Sequence, residues 1–177
     1  MIIKDVRIDW CFLAEAGKQG KYGCTILLPK GSKQETQVHE AIERAIESGI
    51  ANNKFTAAHT KSATFKRCIR DGDAEIESEG RPAHYKGMSF INASNANQPG
   101  LVDETLQPIM DPNKFYSGCY CNVDINIAPF YHGESGSRGI GAYIQNAMFV
   151  RDGERLDGRQ SAEDAFAGLE VADDNLQ

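Results

Sequence analysis

"SGCYCNVDINIAPFYH", residues 117–132, alternates in a way that a β-strand explains. Cys119, Cys121, Val123, Ile125 and Ile127 share one parity, while Tyr120, Asn122, Asp124 and Asn126 share the other. Successive side chains of a strand point to opposite faces, so one face of this segment meets a core and the other is free. "GESGSRG" at 133–139 supplies a flexible turn. "IGAYIQNAMFV" at 140–150 then repeats the pattern, with Ile140, Ala142, Ile144, Met148 and Val150 inward and Tyr143, Gln145 and Phe149 opposite.

The same period appears at the start of the chain. Residues 2–13 carry Val6, Ile8, Trp10 and Phe12 on the apolar parity, with Asp5, Arg7 and Asp9 on the other. After the turn "AGKQGK" at 16–21, "KYGCTILLPK" at 21–30 reads as a second strand, and the two predict a hairpin. One helix follows: Ser32 and Glu35 form an S-x-x-E capping box, Val38, Ile42, Ala45 and Ile46 make one stripe, and Gly49 stands at the expected C-cap.

The middle is less regular. A short strand is expected from Phe65 to Ile69, ending in the turn "RDGD" at 70–73, and the acidic "AEIESEGRP" at 74–82 reads as a loop. "GMSFINASNANQPGLVD" at 87–103 reads as a strand running into a proline turn. About five strands, one helix, glycine-rich turns and no βαβ alternation or repeat predict a small, mostly antiparallel barrel.

With 177 residues the chain fits one domain with extensions. Its formal net charge of −6 comes from 19 basic and 25 acidic residues, and it is unevenly placed. After Arg159 no lysine or arginine occurs, while Glu163, Asp164, Glu170, Asp173 and Asp174 all do, so the body is near neutral and the tail is the anion. A near-neutral body can still carry a basic groove, because the local field follows where charges cluster.

The opening "MIIKDVRIDWCF" lacks the apolar core of a secretion signal, and no apolar stretch approaches membrane-spanning length. An unexported protein without membrane attachment is expected. Five cysteines, odd in number and without a C-x-x-C pair, fit reduced thiols in a cytoplasm.

Several constellations invite chemistry. The Cys119 and Cys121 pair could hold zinc, but the four histidines are scattered and both cysteines lie on the apolar parity, which favours core packing. Asp71, Asp73, Glu75, Glu77 and Glu79 could hold a divalent ion, yet they match neither an EF-hand nor a nuclease motif, and a solvated hairpin is the simpler account. No phosphate loop or flanked nucleophile is present, so no catalytic residue, metal or cofactor is expected.

The aromatic and basic residues say more. Tyr120 and Tyr143, with Phe115 and Tyr116 before the strand, could stack unpaired bases. Arg7, Lys66, Arg67, Arg70, Lys86, Lys114 and Arg138 could meet phosphates.

"KFYSGCYCNVDINIAPFY" at 114–131 and "GIGAYIQNAMFVRDGERLDGR" at 139–159 resemble a family of bacteriophage single-stranded DNA-binding proteins built on an OB-fold. The likeness includes "IRDGD" at 69–73 and "QPGLVD" at 98–103, and covers most of Met1 to Arg159. It implies non-catalytic binding of single strands during phage DNA replication, recombination or repair, in the cytoplasm of the infected host. One departure stands out: the helix follows the second strand, whereas an OB-fold usually places its helix between the third and fourth.

The expectation is therefore an OB-fold-like, five-stranded antiparallel Greek-key barrel over residues 1–159, with one helix, and a disordered acidic tail over residues 160–177. The tail resembles those that end other single-strand binders. It implies competition with DNA for the groove and recruitment of phage or host replication proteins, through its acids and through Phe166, Leu169, Val171 and Leu176. Oligomeric state is left open. The rivals are a structural or protein-interaction module and a metal-dependent nuclease using the 71–79 acids.

Overall fold

The computed structural model describes residues 1–159 together with Ala165 and Phe166. In chain order it contains β1 (Ile2–Phe12), β2 (Tyr22–Pro29), α1 (Lys33–Ala51), α2 (Ala57–Thr60), β3 (Ile69–Asp71), α3 (Gly72–Glu79), a 3-10 turn (Ala83–Tyr85), β4 (Met88–Asn95), β5 (Gly100–Val102), β6 (Tyr120–His132) and β7 (Ser137–Arg151). Strands β4, β2, β1, β6 and β7 lie side by side in that order, and β4 meets β7 again in parallel at Ala93 and Ala142. That pairing closes a five-stranded barrel, the Greek-key arrangement of an OB-fold.

β3 and β5 are additions at the rims, β3 beside β4 and β5 parallel to β7. The barrel's third strand is thus β4, and the expected strand near Phe65 is only the short edge strand β3. The early position of α1 is confirmed: it is an insertion between the second and third barrel strands.

α1 starts as its sequence dictates, with Ser32 Oγ accepting the Glu35 N–H at 3.1 Å. Glu35 closes no box on Ser32; its carboxylate accepts from Gly31 N at 2.6 Å and from Ser89 Oγ at 2.5 Å, and these bonds hold it below the usual carboxylate range, Ser89 contributing most. The stripe Val38, Ile42, Ala45 and Ile46 is buried and packs chiefly on β6, stoppering one end of the barrel. Gly49 is no C-cap. The helix runs on to Ala51, and Gly49 lies where the Phe55 ring fills the space a side chain would need.

The loop expected at 74–82 is largely the helix α3. Asp71 caps it by accepting from Asp73 N at 2.9 Å, and it ends at Gly80. Two short helices therefore accompany the one that periodicity predicts.

Two breaks in β1 matter most. Its register shifts between Ile3 and Val6 and again between Asp9 and Phe12, and Asp5 (φ 51) and Trp10 (φ 45) sit in these bulges with left-handed backbone. An extra residue in a strand moves everything beyond it to the opposite face. Ile3, Val6, Ile8 and Leu13 are consequently buried, while Trp10 is 56% and Phe12 43% exposed. The reading that put Trp10 and Phe12 inward is corrected by the second bulge.

β7 repeats the lesson. Asp124 pairs with Asn146 but Ile125 pairs with Ile144, so Gln145 is the extra residue. Ile140, Ala142 and Ile144 point inward as expected, but beyond the bulge Ala147 and Phe149 are buried in place of Met148 and Val150.

Cys119 and Cys121 are core residues, their sulfurs 3.6 Å apart, and the hydrogen bond to Cys119 together with burial pushes the Cys121 thiol upward. Burial also raises Cys11, to about 12, and Cys68, to about 11, so neither is a ready nucleophile. No cluster among the described residues could hold a metal ion, and no described helix is long and apolar enough to cross a membrane.

Candidate nucleic-acid interface

The outward side of β1, β2 and β4 is the surface on which OB barrels take ligands. Register fixes what stands there: Arg7, Leu27 and Phe90 form one row, Asp9, Thr25 and Asn92 the next, and Phe12, Gly23 and Ser94 the last.

The first row is covered by the chain itself. Tyr85 is fully buried against Phe90, ring centres 5.1 Å apart, and the Arg81 guanidinium lies 4.8 Å over the Phe90 ring. Tyr85 also donates its hydroxyl to Asp9 Oδ2 at 3.0 Å, with His84 Nε2 2.9 Å from the same oxygen. Burial and the neighbouring Asp9 push the Tyr85 hydroxyl above its ordinary range, so it stays a donor.

Four of the 71–79 acids, Asp71, Asp73, Glu75 and Glu79, hold this cover down. Lys30 reaches Asp71 at 2.6 Å and Asp73 at 2.7 Å, and its hydrogen bonds depress both carboxyls. Glu75 takes Arg70 at 2.5 Å and Arg81 at 2.9 Å, and Glu79 takes Arg70 at 3.3 Å. The solvated hairpin expected there is an ion-paired helix, and Asp71, Asp73, Glu75 and Glu79 are committed to cations of the fold, while Glu77 forms no ion pair among the described residues.

The last row is open. A groove of about 490 Å³ runs from Trp10 and Phe12 along the β1–β2 loop (Gly17, Lys18, Gln19, Lys21) to Thr25 on β2 and Asn92 and Ser94 on β4. Its floor is small and polar, with Thr25 Oγ1 donating to Asn92 Oδ1 at 2.8 Å. A second hollow of about 440 Å³ shares Trp10 and Phe12 and continues to Tyr116, Arg155 and Arg159. Lys18 and Lys21 form no ion pair among the described residues.

The residues singled out from sequence fall into three groups. Some are structural. Phe115 is buried, edge-on to Phe149 at 6.0 Å, and offers no stacking face. Tyr120 carries Arg151 3.7 Å over its ring, and Arg151 in turn pairs with Asp5. Tyr116 is stacked by Arg155 at 4.5 Å and hydrogen-bonded to Asp152 and Gly153, each at 3.0 Å. Arg7 donates to the carbonyls of Gly118 at 3.2 Å and Glu154 at 2.6 Å. Tyr120, Tyr116 and Arg7 pin the 151–157 segment to the barrel.

A second group is partly neutralised: Arg70 by Glu75 and Glu79, Arg67 by Glu43 at 3.8 Å, and Lys114 by Asp152 at 3.9 Å. A third remains available. Tyr143 is exposed on β7 beside the β4–β7 seam, its ring lying back over Gly141, and Lys86 is exposed. Lys66, bridged to β7 at Gly139, and Arg138 line one hollow beside the tip of the β6–β7 hairpin. In the tail, Phe166 is exposed, while Glu163, Asp164, Glu170, Asp173 and Asp174 lie outside the described residues.

Trp10, Phe12, Lys18 and Lys21 were missed by strand parity. The available signal was Leu13: three apolar residues in succession, Cys11, Phe12 and Leu13, cannot share one face, and a basic turn follows directly.

The family described as "Enterobacter phage Enc34, ssDNA-binding protein" matches residues 1–176. The chain belongs to this family. Protein p50 of Acyrthosiphon pisum secondary endosymbiont phage 1 is 31% identical to this Enc34-family chain over 164 residues, 87% of this chain and 82% of that one. Among solved structures, the single-stranded DNA-binding protein from bacteriophage Enc34 has a TM-score of 0.69 at 24% identity, over 93% of this chain and 88% of that one. The same protein in complex with ssDNA gives 0.69 at 22%, covering 88% of each. The single-stranded DNA-binding protein gp2.5 of bacteriophage T7 gives 0.61 at 11%, over 97% and 96%. These likenesses agree with the closed barrel found here.

Proposed function

We propose that this protein binds single-stranded DNA without reading its sequence, stacking bases on Trp10 and Phe12 while Lys18 and Lys21 take the phosphates. One observation carries the reading: two large aromatic side chains are exposed at the open end of an OB barrel's ligand face, and the same groove holds two lysines that form no ion pair among the described residues. Every base offers a π-face, so stacking tolerates any sequence, and the lysine contacts supply salt-dependent affinity. The small polar floor of Gly23, Thr25, Asn92 and Ser94 lets a strand lie close. Tyr143, across the β4–β7 seam, extends the track towards the β6–β7 hairpin.

Family membership and the names of the solved relatives support this reading, as does the commitment of Asp71, Asp73, Glu75 and Glu79 to ion pairs, which speaks against the nuclease alternative. Residues 1–159 form the binding domain. Residues 160–177 act as a polyanion that competes for the groove and, once displaced, recruits phage or host replication proteins. The setting is phage DNA replication, recombination or repair in the cytoplasm of the infected cell.

Trp10 is the sole tryptophan of the chain, so its own emission tests the proposal. Titration with oligo-dT should quench it saturably, more weakly at higher salt, with duplex of equal length far less effective. A chain stopped after Arg159 should bind more tightly. Unchanged emission together with no retention of labelled oligo-dT at low salt would refute single-strand binding.

A further inference from the structure

A separate cavity of about 420 Å³ lies where residues 59–66 pack on the tip of the β6–β7 hairpin. His59, Ser62, Thr64, Lys66, Ser135, Ser137 and Arg138 supply its polar lining, and no carboxylate lines it. Neither Lys66 nor Arg138 is in an ion pair among the described residues, and Glu134 at the tip reaches neither. Two cations here share one hollow with four hydroxyls.

The main chain holds this arrangement rigidly. Lys66 N donates to the Arg138 carbonyl at 3.1 Å and Ile140 N to the Lys66 carbonyl at 2.9 Å. Glycine is required between them, since a Cβ at Gly139 would run into the Lys66 carbonyl. The Arg138 guanidinium is further oriented by the Tyr131 ring, 5.2 Å beneath it.

Two features of the lining point to an anion. Ser137 Oγ is the buried side-chain polar atom that has no hydrogen-bond partner among the described residues. A buried hydroxyl left unpaired is costly, and the residue that carries this one lines the polar cavity, where a ligand atom could supply the missing partner. His59 Nδ1 lies 3.0 Å from Thr56 N and 3.1 Å from Thr56 Oγ1, which fixes the ring. Arg138 Nη1 lies 2.8 Å from Nε2 and 3.2 Å from Nδ1, so the imidazole holds the guanidinium at the cavity, whose lining brings no carboxylate to its charge.

We infer that this cavity is a phosphate-binding pocket, in which Arg138, Lys66, His59 and Ser137 surround one phosphate group. That the phosphate belongs to a nucleic acid rests on the proposed DNA binding; that the pocket takes phosphate does not. Lying at the far end of the track that starts at Trp10, it would anchor a strand after the bases have stacked. The group is either a backbone diester or a terminal monoester, which share the chemistry the pocket recognises.

The test is an amide-resolved NMR titration of the full chain with inorganic phosphate, against sodium chloride at matched ionic strength. Saturable shifts confined to residues 59–66 and 135–138 are expected, and Arg138→Gln and Ser137→Ala should each weaken that binding about tenfold. Ser137→Ala guards against misfolding, because losing an unpaired buried hydroxyl leaves stability unchanged or raises it. Non-saturable or scattered shifts, or unchanged affinity in both variants, would overturn the pocket. Oligo-dT with and without a 5′-phosphate identifies the source: preference for the phosphorylated end indicates a monoester, equal binding a diester. Oligo-dT that quenches Trp10 but leaves the pocket unshifted sinks this inference and spares the DNA reading; phosphate that saturates the pocket with no oligo-dT binding does the reverse.

Discussion

Trp10→Ala and Trp10→Gly, compared side by side, separate the groove's function from its backbone. Both remove the ring, and loss of one base stack is worth about 1–3 kcal/mol. That corresponds to a rise of about 5- to 150-fold in the Kd for oligo-dT. Because stacking carries no charge, the dependence of log K on log salt should keep its slope. Stability responds differently. Trp10 is 56% exposed, so less than half of its surface packs on the protein, and its removal costs at most about 2 kcal/mol. Its φ of 45° strains any L-residue by about 1–2 kcal/mol, which alanine retains and glycine relieves. The main-chain bond from Trp10 N to Asp9 Oδ1, 2.7 Å, survives in both variants. Trp10→Gly should therefore unfold at a urea midpoint at or above that of Trp10→Ala while binding no better. Anisotropy of labelled oligo-dT at several salt concentrations, with urea denaturation alongside, reads both quantities. Affinity within twofold of the unaltered chain, or a salt slope reduced by about 0.7, would refute a stacking role for Trp10.

Other expectations follow from the same geometry. Lys18→Ala and Lys21→Ala should each lower the salt slope for single strands by about 0.7 and leave the melting temperature unchanged; an unaltered slope in both would place the phosphates elsewhere. Phe115→Ala should cost about 3–5 kcal/mol in urea denaturation, as truncation of a core aromatic does, and a folded, fully stable variant that has lost DNA binding would show that the ring faces the ligand after all. The clasp of Lys30 on Asp71 and Asp73 has a defined acid limit. Both carboxyls lie below their ordinary value of 3.8, so the stability they add is present above that value and is lost as pH falls through their lowered folded-state values. Amide exchange of α3 should accelerate over that acid range and do so less in Lys30→Met; identical acid sensitivity in that variant would discount the clasp.

The sequence by itself determined the β class, the two terminal hairpins, the amphipathic helix after the second strand and the uneven placement of charge. Each of these is local: period-2 alternation, a capping serine or a run without lysine is complete within a few residues. It also showed, through the motifs at 114–131 and 139–159, the kinship that the family match bears out. What it could not show is which residues stand outside. A bulge shifts parity by one residue without changing composition, so Trp10 and Phe12 read as core and Phe149 as surface until pairing with β2 and β6 fixed the register. Long-range partners were equally hidden. Tyr120, Tyr116 and Arg7 have the residue types of a DNA contact, but Arg151, Arg155 and the carbonyls of Gly118 and Glu154 occupy them. Only the tertiary fold brings Lys66 to Arg138, and only the β1 bulge turns Trp10 outward beside Lys21. An aromatic or a cation becomes a binding group when tertiary packing leaves its face or its charge unclaimed, and no local pattern records that.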